Sequence, residues 1–182
     1  MITPDTVENM ILKVNVNKGQ TKGDVPPKLY KAAIRKLKTP IVSIFNNVAK
    51  TGVWPSRWKI ENSYPLRKIP SPLSLNDIRV ISKSPFLCTQ FEKIVVKWLL
   101  AIVEPKLDWA QYGGQKGCII SHVMIELLTF IHYNLDLKKK QGITLTCVDY
   151  YKAFNNQDHN NFLIILYEMG VPGWLLKIEQ WS

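Results

Sequence analysis

Apolar residues recur along this chain with two periods, and each change of period marks a change of element. After Thr3-Pro4-Asp5, the residues Val7, Met10, Ile11 and Val14 fall at helical spacing, with Pro at the first helical position. The stretch 15–25 is polar, with Lys18, Gly19, Lys22 and Gly23, and reads as a connector. Pro26-Pro27 opens a helix to about Leu37, and Thr39-Pro40 opens another to about Lys50. Ile41, Ile44, Phe45 and Val48 share one face of the second helix, and Gly52 ends it. Trp54-Pro55-Ser56-Arg57-Trp58 is a turn whose two tryptophans are expected to anchor it to a core.

Period two begins near residue 60. Residues 60–67 and 77–82 read as strands, separated by Pro70, Pro72 and Leu73, and predict an antiparallel pair that brings Lys68 near Arg79. Ser84-Pro85 then opens a long helix to about Glu104. Leu87, Phe91, Ile94, Val95, Trp98 and Ile102 form its apolar stripe, and Pro105 stops it. A glycine-rich loop over 111–117 leads into a helix to about Leu135, with Ile120, Val123, Met124, Leu127 and Ile131 expected to be buried. That loop lacks the Gly-Lys-Ser/Thr ending of a P-loop. After a basic turn at Lys138-Lys139-Lys140, Ile143, Leu145 and Cys147 alternate with Thr144 and Thr146, which predicts a strand over 143–148. Asp149 closes it in phase with the apolar face, and a carboxylate there is costly unless something positive meets it. A helix near 160–169 and a last start at Pro172 complete the pattern.

Composition changes this picture in three places. The 182 residues suffice for one domain with a core, and 46% hydrophobic content argues against disorder. No apolar run approaches the length of a membrane span, and the first residues do not resemble a signal peptide, so an intracellular protein, cytoplasmic or nuclear, is expected. The three cysteines (Cys88, Cys118 and Cys147) are far apart and form no zinc-like spacing, so reduced core thiols are expected. The net charge of +10 is concentrated. Residues 1–106 hold 18 Lys+Arg against 7 Asp+Glu, whereas residues 107–182 hold 6 against 7. A basic half joined to a neutral half fits a polyanionic partner for the first half; a solubilising surface is the plainer alternative.

The stretch 149–159 carries a more specific signal. Asp149-Tyr150-Tyr151-Lys152-Ala153-Phe154, with His159 following, resembles the first palm motif of reverse transcriptases, especially those of non-LTR (LINE-like) retrotransposons. Further blocks are similar to that family in the same order. Lys22-Gly23-Asp24-Val25-Pro26 resembles its opening Gly-Asp-Ile-Pro segment. Thr51-Gly52-Val53-Trp54-Pro55 with Trp58-Lys59 resembles its Gly-x-x-Pro-x-x-Trp-Lys block. Asn76-Asp77-Ile78-Arg79-Val80-Ile81-Ser82, with Phe91-Glu92-Lys93, resembles its fingers block. Gln111-Tyr112-Gly113 resembles its template-side block, and Gly170-Val171-Pro172 the segment after the palm motif.

The resemblance implies an α+β fold: a helix-rich fingers region over 1–142 and the start of a palm over 143–182, with a small, incomplete antiparallel sheet. It implies RNA-directed DNA polymerase chemistry, with an RNA template, a DNA primer and deoxynucleoside triphosphates as partners. Two Mg²⁺ ions would bridge the attacking hydroxyl and the leaving pyrophosphate, held by hard oxygen ligands. Asp149 would be one ligand and the Tyr150 carbonyl a second. Arg79 and Lys68 would clamp the triphosphate, Tyr151 would lie at the nucleotide, and Phe154 would exclude a ribose 2′-hydroxyl. Gln111, Gly113 and Lys116 would lie by the template.

Departures from the family bear on activity. Val80 stands where the family usually has Pro, and Asn155 where Asp is commoner. The Tyr/Phe-x-Asp-Asp hairpin that completes the family's metal site is not in these 182 residues, which contain no Asp-Asp pair. One carboxylate cannot hold two Mg²⁺ ions tightly against water. The stretch therefore reads as a polymerase fragment that binds nucleic acid, inactive as an isolated chain, with self-association expected through the exposed palm edge.

Overall fold

The computed structural model describes residues 1–16, 23–115, 117–136, 142–150, 153 and 156–179. It is helix-rich with one two-stranded antiparallel sheet among the described residues, an α+β arrangement. The chain divides into two compact units. The first joins Met1–Val103 with His159–Ser182, and the second is Glu104–Asp158.

The first unit begins with α1, Pro4–Leu12. Thr3 caps it by accepting a hydrogen bond from the Thr6 N–H at 3.2 Å. The chain before it is tied down by Asn46, whose amide both donates to the Ile2 carbonyl and accepts from the Ile2 N–H, each at 2.9 Å. Val7 and Ile11 face inward, as their spacing predicts.

Where the sequence predicted two helices, the structure has one: α2 runs Pro27–Thr51 with Pro40 inside it. Pro40 has no N–H to give the preceding turn, a defect worth about 3 kcal/mol in a helix interior. The helix continues because Ile34, Ile41, Phe45 and Val48 form a single buried seam that spans the proline, while Pro40 itself faces water. Gly52 ends α2 at φ +73°, and its N–H donates to the Val48 carbonyl at 2.8 Å. A side chain there would be strained by that backbone and would press on the Lys177 carbonyl, 3.2 Å from an ideal Cβ.

A 3₁₀ turn, Ser56–Lys59, carries Trp58 inward beside Trp54. The hairpin follows as β1, Asn62–Arg67, and β2, Ile78–Lys83, paired from Asn62 opposite Lys83 to Arg67 opposite Ile78. Then comes α3, Phe86–Val103, which buries Cys88, Gln90, Phe91, Ile94, Val95 and Val103. The core is completed from far along the chain by α5, His159–Glu168, and α6, Gly173–Glu179. Leu166, Val171, Leu175 and Ile178 are buried in it, and the Trp54 indole N–H donates to the Ile178 carbonyl at 2.9 Å. Trp174-Leu175-Leu176 and Ile178 form a strongly apolar end segment. Leu175 and Ile178 seal the first unit, and Trp174 meets Trp98 edge-on at 5.7 Å between ring centroids.

The second unit departs further from expectation. Its helix α4, Ile120–Asp136, forms where the periodicity places it, but buries none of its residues. Ile120 is 81% exposed and Phe130 60%. The predicted strand over 143–148 is absent: residues 142–150 have no regular secondary structure and are all exposed. Alternation alone does not make a strand, because each strand needs a hydrogen-bonded neighbour, and none of the described residues supplies one here. Only Cys88 is a core thiol; Cys118 is half-buried and Cys147 exposed.

Candidate functional site

The residues singled out by the sequence fall into three places. Lys68 and Arg79 are on the hairpin of the first unit. Gln111 and Gly113 are in the glycine-rich loop of the second, and Asp149 and Tyr150 end the exposed stretch of that same unit. Tyr151, Phe154 and Lys116 lie outside the described residues, as does the basic turn at Lys138-Lys139-Lys140.

The hairpin is positioned from its base. Asp24 reaches across 62 residues of sequence to accept the Phe86 N–H at 2.5 Å, placing a carboxylate on the N-terminus of α3. The Arg57 guanidinium donates to the Gly23 carbonyl at 2.6 Å, and Tyr30 stacks on Phe86 with ring centroids 4.9 Å apart. Burial, and then the Asp24 carboxylate, push the Tyr30 phenol above its ordinary pKa. Beneath this, Phe91 lies 5.2 Å from Phe45, 5.4 Å from Trp54 and 6.0 Å from Trp58, all between ring centroids. At the root of the strands the Ser84 hydroxyl donates to Glu61 at 2.9 Å. A two-stranded ribbon is marginal by itself in water, so these anchors hold it.

Toward the tip, Asp77 organises the connection. Its Oδ2 accepts the N–H groups of Leu73 at 3.0 Å and Ser74 at 2.9 Å, which holds its carboxyl below the usual carboxylate range. The Lys68 N–H donates to the Asp77 carbonyl, extending the ladder by one residue. Leu66 is opposite Arg79, so Lys68 and Arg79 are diagonal neighbours on one face of the ribbon, as the sequence predicted. Lys68 Nζ is engaged by the Asn76 carbonyl at 2.6 Å, and Arg79 is exposed. Arg67, not anticipated as a site residue, adds a third exposed cation to the ribbon. A cavity of about 470 Å³ at the ribbon's base is lined by Glu61 and Glu92. Lys59 also lines it, so the cavity carries charges of both signs. The Cys88 thiol in that cavity donates to Glu92 at 3.2 Å, and burial followed by that carboxylate raises its pKa.

In the second unit, Gln111 donates its side-chain amide to the Gly113 carbonyl at 3.2 Å, so the loop is closed on itself by the residue expected at a template. Asp149 and Tyr150 are exposed. Among the described residues no three His, Cys, Asp or Glu side chains are grouped to hold a metal ion. Asp149 with one backbone carbonyl does not fit a pair of Mg²⁺ ions, which need several oxygen ligands each. Among the described residues no helix is long and apolar enough to cross a membrane. No protein-family model matches the chain, and no curated protein matches it significantly.

The role of Asp24 was legible only in part. The sequence marked its block but gave no sign of what it touches, because a cap supplied from 62 residues away leaves no local spacing.

Proposed function

We propose that these residues are the fingers region and first palm motif of a reverse transcriptase domain of the non-LTR retrotransposon type. The observation that supports this reading is that two of the ordered sequence blocks, around Asp24 and around Trp54 and Trp58, meet at α3. The block around Gly23-Asp24 caps α3, the block around Trp54 and Trp58 packs on Phe91, and the hairpin with Arg79 lies between that second block and α3 in chain order. Such residues build the platform on which a basic ribbon can meet a triphosphate or a nucleic acid backbone. In a complete domain of that kind the partners are an RNA template, a DNA primer and deoxynucleoside triphosphates, and the work is intracellular, in cytoplasm or nucleus. Mg²⁺ would require carboxylates beyond Asp149.

For the isolated chain the reading is binding without polymerisation, and what supports it is that the 182 residues contain no Asp-Asp pair to complete a metal site with Asp149. The test is primer extension on poly(rA) primed with oligo(dT), beside RNA binding across a salt series. No extension is expected with either Mg²⁺ or Mn²⁺, while RNA is held with an affinity that falls steeply as salt rises. Extension abolished by Asp149→Ala would restore the enzyme reading for these residues. RNA affinity indifferent to salt would overturn the binding reading.

A further inference from the structure

A second basic surface lies in the first unit, away from the hairpin's residues. Helices α1 and α3 flank a groove of about 900 Å³, the size of a ligand site for a nucleotide or larger. Its lining contains Lys13 from just beyond α1, and Lys93 and Lys97 from α3. The last two are one helical turn apart, about 5–6 Å between Cβ atoms, so they can meet successive anionic groups on one strand. Among the described residues no Asp or Glu lines the groove. Met10 and the half-buried Trp98 provide apolar surface within it. Gln90, only 3% exposed, also lines it and accepts a hydrogen bond from Lys93 at 3.4 Å.

Cations of one sign around an apolar surface with an indole are the combination that holds a single-stranded polynucleotide: lysines follow the phosphates and an aromatic ring accepts a base. An anion without an apolar part would not need Met10 or Trp98. A purely apolar ligand would not need three ammonium groups. We infer that the α1–α3 groove binds single-stranded nucleic acid, with Lys13, Lys93 and Lys97 on the phosphates and Trp98 beneath a base. This inference stands on the groove's lining alone and does not require the polymerase reading.

The experiment compares two variants of the full chain with equal net charge. In the first, Lys13, Lys93 and Lys97 are changed to Gln. In the second, the exposed Lys28, Lys36 and Lys50, which lie outside the groove, are changed to Gln. Binding of a fluorescent oligouridylate is measured by anisotropy across a salt series, with thermal melts showing that both variants fold. Three lost phosphate contacts at about 0.7 each should lower the magnitude of the salt slope by about 2 and weaken binding by at least about tenfold in the groove variant. The control variant should change by much less. Trp98→Phe should retain binding, and Trp98→Leu should weaken it by about tenfold. Equal losses in the two lysine variants would reduce the effect to net charge and overturn the inference. So would oligouridylate binding unchanged in the groove variant while binding to phosphatidylserine vesicles is lost, which would make the groove a headgroup site. Replacing Lys68 and Arg79 in the same assay reports on the hairpin separately, so either surface can fail while the other stands.

Discussion

Helices α3 and α4 are close in length, 18 and 17 residues, and both carry apolar residues at helical spacing. Their fates differ. α3 buries Phe91 and Val95 completely or nearly so, beneath the aromatic rings of Trp54, Trp58 and Phe45. α4 leaves Ile120, Ile125, Phe130 and Leu135 more than half exposed. Periodicity states which side of a helix is apolar. Whether that side is covered depends on a second element that the helix's own sequence does not describe. The first unit gathers such elements from both ends of the chain; the described part of the second has none buried.

Truncating a phenylalanine on each helix gives the sharpest test of that contrast. Phe91→Ala should cost about 3–5 kcal/mol of stability, because it leaves a hole among the rings of Phe45, Trp54 and Trp58. Phe130→Ala should cost about 0.5 kcal/mol or less, as for an exposed position. Urea denaturation of both variants measures the difference, and equal costs would mean that α4 is covered after all. Next in size is the effect of the uncovered surface itself. The purified chain should bind ANS and self-associate on sizing chromatography, and Ile125→Lys with Phe130→Lys should reduce both. A monodisperse monomer without ANS fluorescence would sink this expectation.

The cysteines compare the two units on a finer scale. Cys147 is exposed, whereas Cys88 is buried and its thiolate is disfavoured by desolvation and by Glu92. Maleimide should label Cys147 at least about tenfold faster than Cys88 in the folded chain, with the difference lost in urea. The smallest effect is a pH dependence confined to the ribbon. Asp77 has its pKa lowered by the N–H groups of Ser74 and Leu73, so its contribution is present above the unfolded pKa. That contribution is lost as pH falls through the lower, folded value. Amide shifts of Leu73 and Ser74 should move with that titration, and Asp77→Asn should abolish the movement.

Much of the first unit was legible before any coordinates. Thr3 and Pro4 announce α1, Gly52 ends α2, and the alternation around Arg79 gives the hairpin and its pairing with the Lys68 side. These are local signals, each written within a few residues. Pro40 misled because its local effect is real but smaller than the gain from one continuous seam spanning Ile34 and Val48. The stretch 143–148 misled for the opposite reason: its alternation is genuine, and nothing described pairs with it. Of the candidate site, the diagonal of Lys68 and Arg79 was readable from spacing. The groove of Lys13, Lys93 and Lys97 was not, because its halves are some eighty residues apart and meet only through packing.

The hydrogen bond from the Trp54 indole to the Ile178 carbonyl also bears on how the chain is made. A ribosome delivers Trp54, Phe45 and Phe91 first, then all of Glu104–Asp158, and only afterwards the helix bearing Leu175 and Ile178. At about 5–20 residues per second, the nascent aromatic cluster waits several seconds for its last wall. During that interval Trp54 lacks its acceptor. Chaperone engagement should therefore peak after α3 leaves the exit tunnel and fall once α6 has emerged.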